Sequence, residues 1–135
     1  MVSTQQPKQG IKKMGKMKAN DRRAWDFAHD VREYGIAKII VEWRRSREWG
    51  LNPAVMYAGQ KIGFASGCGY CKESAALSDA LQYLGKEPEN YRKILACAGR
   101  GVSHLTKVLE EMGVKLTALH HGKTEHVYTV SVDRD

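Results

Sequence analysis

Three cysteines are the residues of this sequence with the widest choice of chemistry. Cys68 and Cys71 form a Cys-x-x-Cys pair just before a predicted helix, whose N-terminal dipole stabilises a thiolate. A thioredoxin-type redox site also needs a later proline and further βαβ topology, but the last proline here is Pro88. We therefore expect no redox catalysis at this pair.

Zinc binding is a second interpretation of the cysteines. Cys97 and one histidine would complete four tetrahedral ligands with the pair; the histidine candidates are His104, His120, His121 and His126. Only the spacing of Cys68 and Cys71 is typical of a zinc site, and Cys97 lies on the apolar side of a predicted helix, which favours a buried thiol. The sequence predicts no metal and no cofactor, and leaves Cys68, Cys71, Cys97 and His104 as the zinc candidates.

Two glycine-flanked helix starts are candidate anion sites. The residues concerned are Gly69, Lys72, Arg100 and Ser103, of which Ser103 is also the predicted N-cap of its helix. Backbone N–H groups at a helix start attract negative charge, glycine permits close approach, and the two cations add charge. Neither stretch matches a P-loop or a dinucleotide fingerprint. The alternative is that the glycines only permit turns, so a nucleotide or phosphate ligand stays one of two interpretations.

Aromatic and basic residues alternate along a predicted strand. Trp43, Arg45, Arg47 and Trp49 fall on one face, a composition used to stack nucleic-acid bases or to anchor a protein partner. The alternative places the tryptophans in the core with the arginines toward the exposed end of the strand. We expect the second arrangement, which still leaves a basic strand end.

The strongest functional signal is the distribution of charge. Residues 1–23 contain seven cations and one acid, which gives this segment a net charge of +6 out of +7 for the whole chain. The remaining residues are therefore close to neutral. The cations are Lys8, Lys12, Lys13, Lys16, Lys18, Arg22 and Arg23. Such a segment predicts salt-dependent contact with nucleic-acid phosphates; a solubilising tail or an arm that docks on an acidic protein surface are the alternatives.

The elements that must position these residues follow from hydrophobic periodicity. We predict a flexible basic arm over 1–19 and one domain over 20–135. A helix over 20–34, capped by Asn20 or Asp21 and stopped by Gly35, precedes a long strand that Gly50 and Asn52-Pro53 break. Two short strands follow, at Ala54–Ala58 and Lys61–Ala65. Three helices come next, the first over 72–84, the second starting at Pro88 and the third starting at Ser103. The final hairpin consists of strands Val114–His120 and Glu125–Val132.

The predicted fold class is α+β. An N-terminal meander and a C-terminal hairpin form an antiparallel sheet with about three helices packed on one face, preceded by the N-terminal helix and the basic arm. The sequence has no apolar run long enough for a membrane span, and its odd number of cysteines favours a reducing cytoplasm. No hydrolase triad or metalloprotease motif occurs, so an enzyme is not the expected function.

Two stretches resemble a family of small phage and prophage proteins. They are EWRRSREWG at 42–50 and SGCGY at 66–70, the latter followed by Lys72, Ser74 and Ala75. The resemblance covers about 38–132 and excludes the arm; the family usually has Asp where this chain has Cys71. It implies a viral origin, and small viral proteins often act by binding and blocking host machinery.

These features together predict a non-enzymatic, phage-derived binding protein. Its expected partner is nucleic acid or a host nucleoprotein complex that handles nucleic acid, with inhibition of a host defence as the biological role. One alternative is a small-molecule binder that sequesters a nucleotide signal at Lys72 and Arg100. Another is a protein that occludes a host partner without nucleic acid. A homo-oligomer is left open.

Overall fold

The computed structural model describes residues 18–46, 50–65 and 73–133. Several sequence-based predictions fall outside these ranges. They concern the arm residues Lys8, Lys12, Lys13 and Lys16, the strand residues Arg47 and Trp49, and Cys68, Gly69, Cys71 and Lys72 before the first of the three later helices.

The predicted α+β fold is confirmed. Four α-helices, a short 3₁₀ helix and five strands occur in the described ranges. In chain order they are α1 (Ala19–Tyr34), β1 (Ile36–Ser46), β2 (Gly50–Tyr57), β3 (Gln60–Phe64), α2 (Glu73–Leu81), the 3₁₀ helix (Gln82–Gly85), α3 (Pro88–Leu95), α4 (Val102–Glu111), β4 (Val114–His121) and β5 (Glu125–Val132). None of these helices is both long and apolar enough to cross a membrane.

The five strands form one sheet in the order β3-β2-β1-β5-β4. Every neighbouring pair is antiparallel. The meander β1–β2–β3 and the hairpin β4–β5 therefore join side by side, because β5 pairs with the free edge of β1. Val41 shows the junction: its partners are Val55 on β2 and His126 on β5.

One face of the sheet carries the core. Along β1, Ile39 and Val41 are fully buried, as are their neighbours Val55 and Tyr128 on the flanking strands. The helices α1, α2 and α4 contact strands directly, while α3 packs mainly on α2, α4 and the 3₁₀ helix. The period of two in β1 thus places alternate side chains under the helical layer.

Helix α2 lies directly against β3 at Gly63. A Cβ atom at Gly63 would lie 2.6 Å from both the Cβ and the backbone nitrogen of Ala80. Only glycine lets the helix backbone approach the strand this closely, so a small residue on each element sets their separation.

Two predicted helix caps are wrong. The N-cap of α1 is Lys18, and Asn20 instead donates from Nδ2 to the carbonyl oxygen of Ile62, 3.1 Å away. The N-cap of α4 is Gly101, so Ser103 lies inside the helix. Local sequence favours these side chains as caps, because a cap oxygen accepts a backbone N–H bond; Asn20 instead lies inside α1 and uses its amide N–H to donate to β3. Gly35 does end α1, with φ of 86°.

Two predicted strand limits are also wrong. Asn52 and Pro53 lie within β2 rather than breaking it. The paired residues of β2 and β3 end at Ala54, which lies opposite Phe64. Pro53 therefore lies just outside this ladder. Because proline has no N–H to donate, this position costs the ladder between β2 and β3 no hydrogen bond. At the other end of the chain, β4 continues through His121, and the turn begins at Gly122.

Candidate functional site

Glu73, the first residue of α2, accepts two hydrogen bonds from strand β5. The hydroxyl of Tyr128 lies 2.5 Å from Glu73 Oε2, and His126 Nδ1 lies 2.8 Å from the same oxygen. Tyr128 and His126 reach one carboxylate because residues two apart on a strand point to the same face. The side chains of Glu73 and His126 are 15% and 20% exposed, so the cluster is open to solvent at its histidine end.

Burial keeps the Tyr128 hydroxyl protonated. Loss of water around the ring is the main cause that raises the pKa of Tyr128 above the ordinary phenol value, and the hydrogen bond to Glu73 raises it further. Because both partners donate to the carboxylate, the Nδ1 atom of His126 carries a proton. Within the described residues, Nε2 of His126 forms no hydrogen bond. Among the described residues, the cluster therefore fixes the imidazole through Nδ1, while Nε2 is the ring nitrogen that could take part in proton transfer.

Two further rings flank His126. His121 stacks on it with ring centroids 3.9 Å apart and ring planes 7° apart. Trp43 meets it edge to face at 4.7 Å. His121, which the predicted bound Val114–His120 left outside the strand, is the last residue of β4, pairs with His126 of β5 and has an exposed side chain.

Two of the four residues of the aromatic and basic strand, Trp43 and Arg45, lie within the described ranges. Trp43 is half-buried and packs against the core, while Arg45, two positions further along β1, is exposed. Trp43 also contacts His126 of the Glu73–His126 cluster, and Arg45 follows it two positions along β1. The use of Arg45 as a nucleic-acid contact stays a prediction.

The starts of α2 and α4 lie in contact. The backbone N–H of Gly101 donates to Ser74 Oγ across 3.1 Å. Arg100 is exposed next to this contact, and Ser103 is exposed one position into α4. The start of α2 at Glu73 and Ser74 thus meets the start of α4, whereas Gly69 and Lys72 of the first predicted anion site lie outside the described residues, and Ser103 makes no capping bond.

The described cations of the basic segment divide into two kinds. Lys18 and Arg22 are exposed, and Arg22 makes only a solvent-exposed ion pair with Asp26 at 3.6 Å. Arg23 is half-buried and donates from Nε to the carbonyl oxygen of Lys61 at 2.6 Å. The assignment of Arg23 to nucleic-acid binding therefore competes with a structural role.

An open cleft of about 490 Å³ adjoins Lys18. Its lining residues are Lys18, Asn20, Asp21, Phe64, Ala65, Ala75 and Asp79. Burial raises the pKa of Asp79, although Phe64 N–H donates to this carboxylate at 3.1 Å. Since Asp79 also accepts from Asn20, its contacts join α1, α2 and β3.

Cys97 has the environment of a structural residue. It is buried, its thiol donates to the carbonyl oxygen of Lys93 at 3.4 Å, and burial raises the pKa of the thiol. In ranges 18–46, 50–65 and 73–133, no three histidine, cysteine, aspartate or glutamate side chains lie close enough to hold a metal ion.

Sequence reasoning missed the cluster of Glu73 and Tyr128 with His126. These contacts join residues 53 and 55 positions apart, so no local spacing reveals them. The available signal was that His126 and Tyr128 share a face of a predicted strand. The chain matches no known family model, no curated protein and no solved structure.

Proposed function

We propose that this protein binds nucleic acid through the cationic segment at 1–23. The observation that carries the proposal is the distribution of charge along the sequence. The segment contains seven cations and one acid, whereas the remaining residues contain nearly equal numbers of cations and acids. Neutralising phosphates releases counterions, which makes such a segment an effective and salt-sensitive ligand for nucleic acid.

The start of α1 supports the proposal. Lys18 and Arg22 lie one helical turn apart and are both exposed, so they continue the cationic segment onto the folded domain. The ion pair of Arg22 with Asp26 is exposed on both sides and contributes little, so a phosphate can replace it. The exposed Arg45 at the end of β1 offers a further contact.

The resemblance to small phage and prophage proteins supports a role inside a host cell. The proposed target is nucleic acid, free or within a host complex that handles it, and the proposed outcome is inhibition of a host defence. Occlusion of a host protein without nucleic acid is the competing mechanism, and a pull-down in which one stoichiometric partner survives nuclease treatment would favour it.

Fluorescence anisotropy with a labelled 20-nucleotide strand at several salt concentrations tests the binding proposal. A variant lacking 1–17 keeps α1 whole and removes four lysines. We expect weaker binding and a salt slope reduced by up to about 3, since each lost phosphate contact removes roughly 0.7–0.9. Unchanged affinity and slope would show that the segment does not contact nucleic acid.

A nucleotide signal bound between two helix starts is a second candidate function. The bond from Gly101 to Ser74 favours it, because it places Arg100 near the N-terminus of α2. A thermal shift with cyclic dinucleotides or ADP-ribose derivatives, retained after deletion of 1–17 and lost in Arg100→Ala, would support this ligand. A shift of the same size in the Arg100→Ala variant would refute this site.

A further inference from the structure

Four aromatic side chains form a continuous chain of ring contacts on the helical side of the molecule. His29 meets Trp25 with centroids 5.0 Å apart, Trp25 meets Tyr83 at 5.4 Å, and Tyr83 meets Tyr91 at 5.0 Å. All three contacts are edge to face, with interplanar angles of 70–79°. The rings therefore support one another as a row, here called the aromatic row, that joins α1, the 3₁₀ helix and α3.

The aromatic row keeps part of its surface in solvent. His29 is exposed, and Trp25, Tyr83 and Tyr91 are half-buried. The opposite side of α1 supplies the core through Ala24, Phe27, Ala28 and Val31, which are all buried. Trp25 thus lies outside the buried set of α1, and part of its side chain stays in solvent.

Cations of the proposed nucleic-acid contact lie on the same side of α1 as this row. Lys18, Arg22, Trp25 and His29 follow one another at spacings of four, three and four residues, which places them on one helical stripe. The acids Asp21 and Asp26 flank this stripe and Glu33 follows His29 at a spacing of four, whereas residues 1–17 of the sequence contain four lysines and no acid. The phosphate contacts beside the row are therefore assigned to Lys18 and Arg22, which are both exposed.

One polar contact anchors the backbone at the centre of the row. Arg32 Nη1 donates to the carbonyl oxygen of Tyr83 across 3.1 Å. Burial raises the pKa of Tyr83 to about 12, as expected for a ring packed among its neighbours. A row already fixed before binding loses little side-chain entropy when a ligand stacks on it.

We infer that the aromatic row binds single-stranded nucleic acid, with bases stacked on Trp25 and Tyr91 and phosphates contacting Lys18 and Arg22. The inference rests on the proposed function and names its substrate class. A cationic track beside accessible aromatic rings suits an unpaired strand, because every base has a face that can stack without regard to sequence. Bases within a duplex are already stacked on each other, so they offer no free face to the row.

Anisotropy with a labelled 12-nucleotide single strand and its matched duplex tests this inference on the full chain. The variants are Trp25→Leu and Tyr91→Leu, which retain apolar volume and remove the ring. The matched control is Tyr34→Leu, because Tyr34 lies at the end of α1, is 63% exposed and makes no ring contact among the described residues. Thermal melts confirm that each variant is folded, and His29→Leu replaces any variant that is not.

We expect the single strand to bind more tightly than the duplex, and each ring variant to weaken it by about 5- to 150-fold, the effect of losing one stacked base. The Tyr34 control should match the wild type. Tryptophan fluorescence should be quenched by the strand, and that quenching should diminish in Trp25→Leu.

Equal affinity for strand and duplex, with folded ring variants unchanged, would overturn the inference and leave the proposed function standing. Absence of binding to either nucleic acid by the wild type would instead overturn the proposed function itself. Capture of a stoichiometric protein through the row, in place of nucleic acid, would also refute the inference.

Discussion

Arg23 on α1 donates from Nε to the carbonyl oxygen of Lys61 on β3, across 2.6 Å. The bond fastens the first turn of α1 to an edge strand of the sheet, and Asn20 makes a similar bond to the next residue, Ile62. Arg22, the residue before Arg23, makes only an exposed ion pair among the described residues. Two adjacent arginines of one cationic segment therefore have different uses, and a matched pair of substitutions separates them.

Arg23→Gln should lower the free energy of unfolding by about 1.5–3 kcal/mol, the typical net contribution of a hydrogen bond that involves a charged group. Arg22→Gln should change it by less than about 0.5 kcal/mol, as expected for an exposed side chain. Arg22→Gln should instead weaken nucleic-acid binding and reduce the salt slope by roughly 0.7–0.9. Urea unfolding and anisotropy on both variants measure the contrast; equal stability losses would contradict the division.

Tyr128→Phe tests the bond to Glu73. Removing the hydroxyl should cost about 1.5–3 kcal/mol at neutral pH, because the lost bond is to a charged group. Urea unfolding measures this, with Tyr34→Phe as the exposed control. A loss no larger than that of the control would show that the bond contributes nothing.

The same variant has an expected effect in alkali. Burial raises the pKa of Tyr128 above the unfolded value of 10.0, so the native state holds this proton more tightly than the unfolded chain does. The stabilisation is complete below pH 10.0 and is lost as pH rises above it. Unfolding between about pH 9 and 11 should thus show a steeper loss of stability in the wild type than in Tyr128→Phe; parallel curves would argue against a raised pKa.

Gly63→Ala tests the close approach of α2 to β3. The new methyl group would lie 2.6 Å from backbone and side-chain atoms of Ala80, so either α2 or β3 must move. We expect a loss of about 3 kcal/mol, the upper end of overpacking costs. Gly99→Ala is the comparison, because Gly99 has open space around it and only the strain of its φ of 78°. That strain should lower the free energy of unfolding by about 1–2 kcal/mol. A smaller loss for Gly63→Ala than for Gly99→Ala would contradict the close packing of α2 on β3.

Asp79→Asn should change how stability depends on pH. Burial raises the pKa of Asp79 above 3.8, so the native state binds this proton more tightly, and stability falls as pH rises through the interval between the unfolded and folded values. Asparagine does not titrate, and its amide oxygen can still accept the Phe64 N–H bond. The stability of Asp79→Asn relative to wild type should therefore increase from pH 4 to neutral pH in roughly the range where carboxyl groups titrate. Urea midpoints across that range measure the difference; a decrease would contradict it.

Features set by neighbouring residues could be predicted from the sequence. Alternation around Ile39 and Val41 predicted β1, and Gly35 predicted the end of α1, because both signals act over a few residues. Predictions failed where contact with a distant part of the chain decided the local structure. Asn20 bonds to Ile62 rather than capping its own helix, and Pro53 fits inside β2 because β3 ends beside it.

The sequence by itself determined the α+β class and the division of charge between the segment at 1–23 and the rest of the chain, because periodicity and composition are properties of order alone. Only the tertiary structure decided which side chains meet. Glu73 receives His126 and Tyr128 across more than 50 residues, and Trp25 lines up with Tyr83 and Tyr91 from other helices. Such contacts depend on strand register and helix packing, which arise from burying the whole core at once rather than from any local spacing.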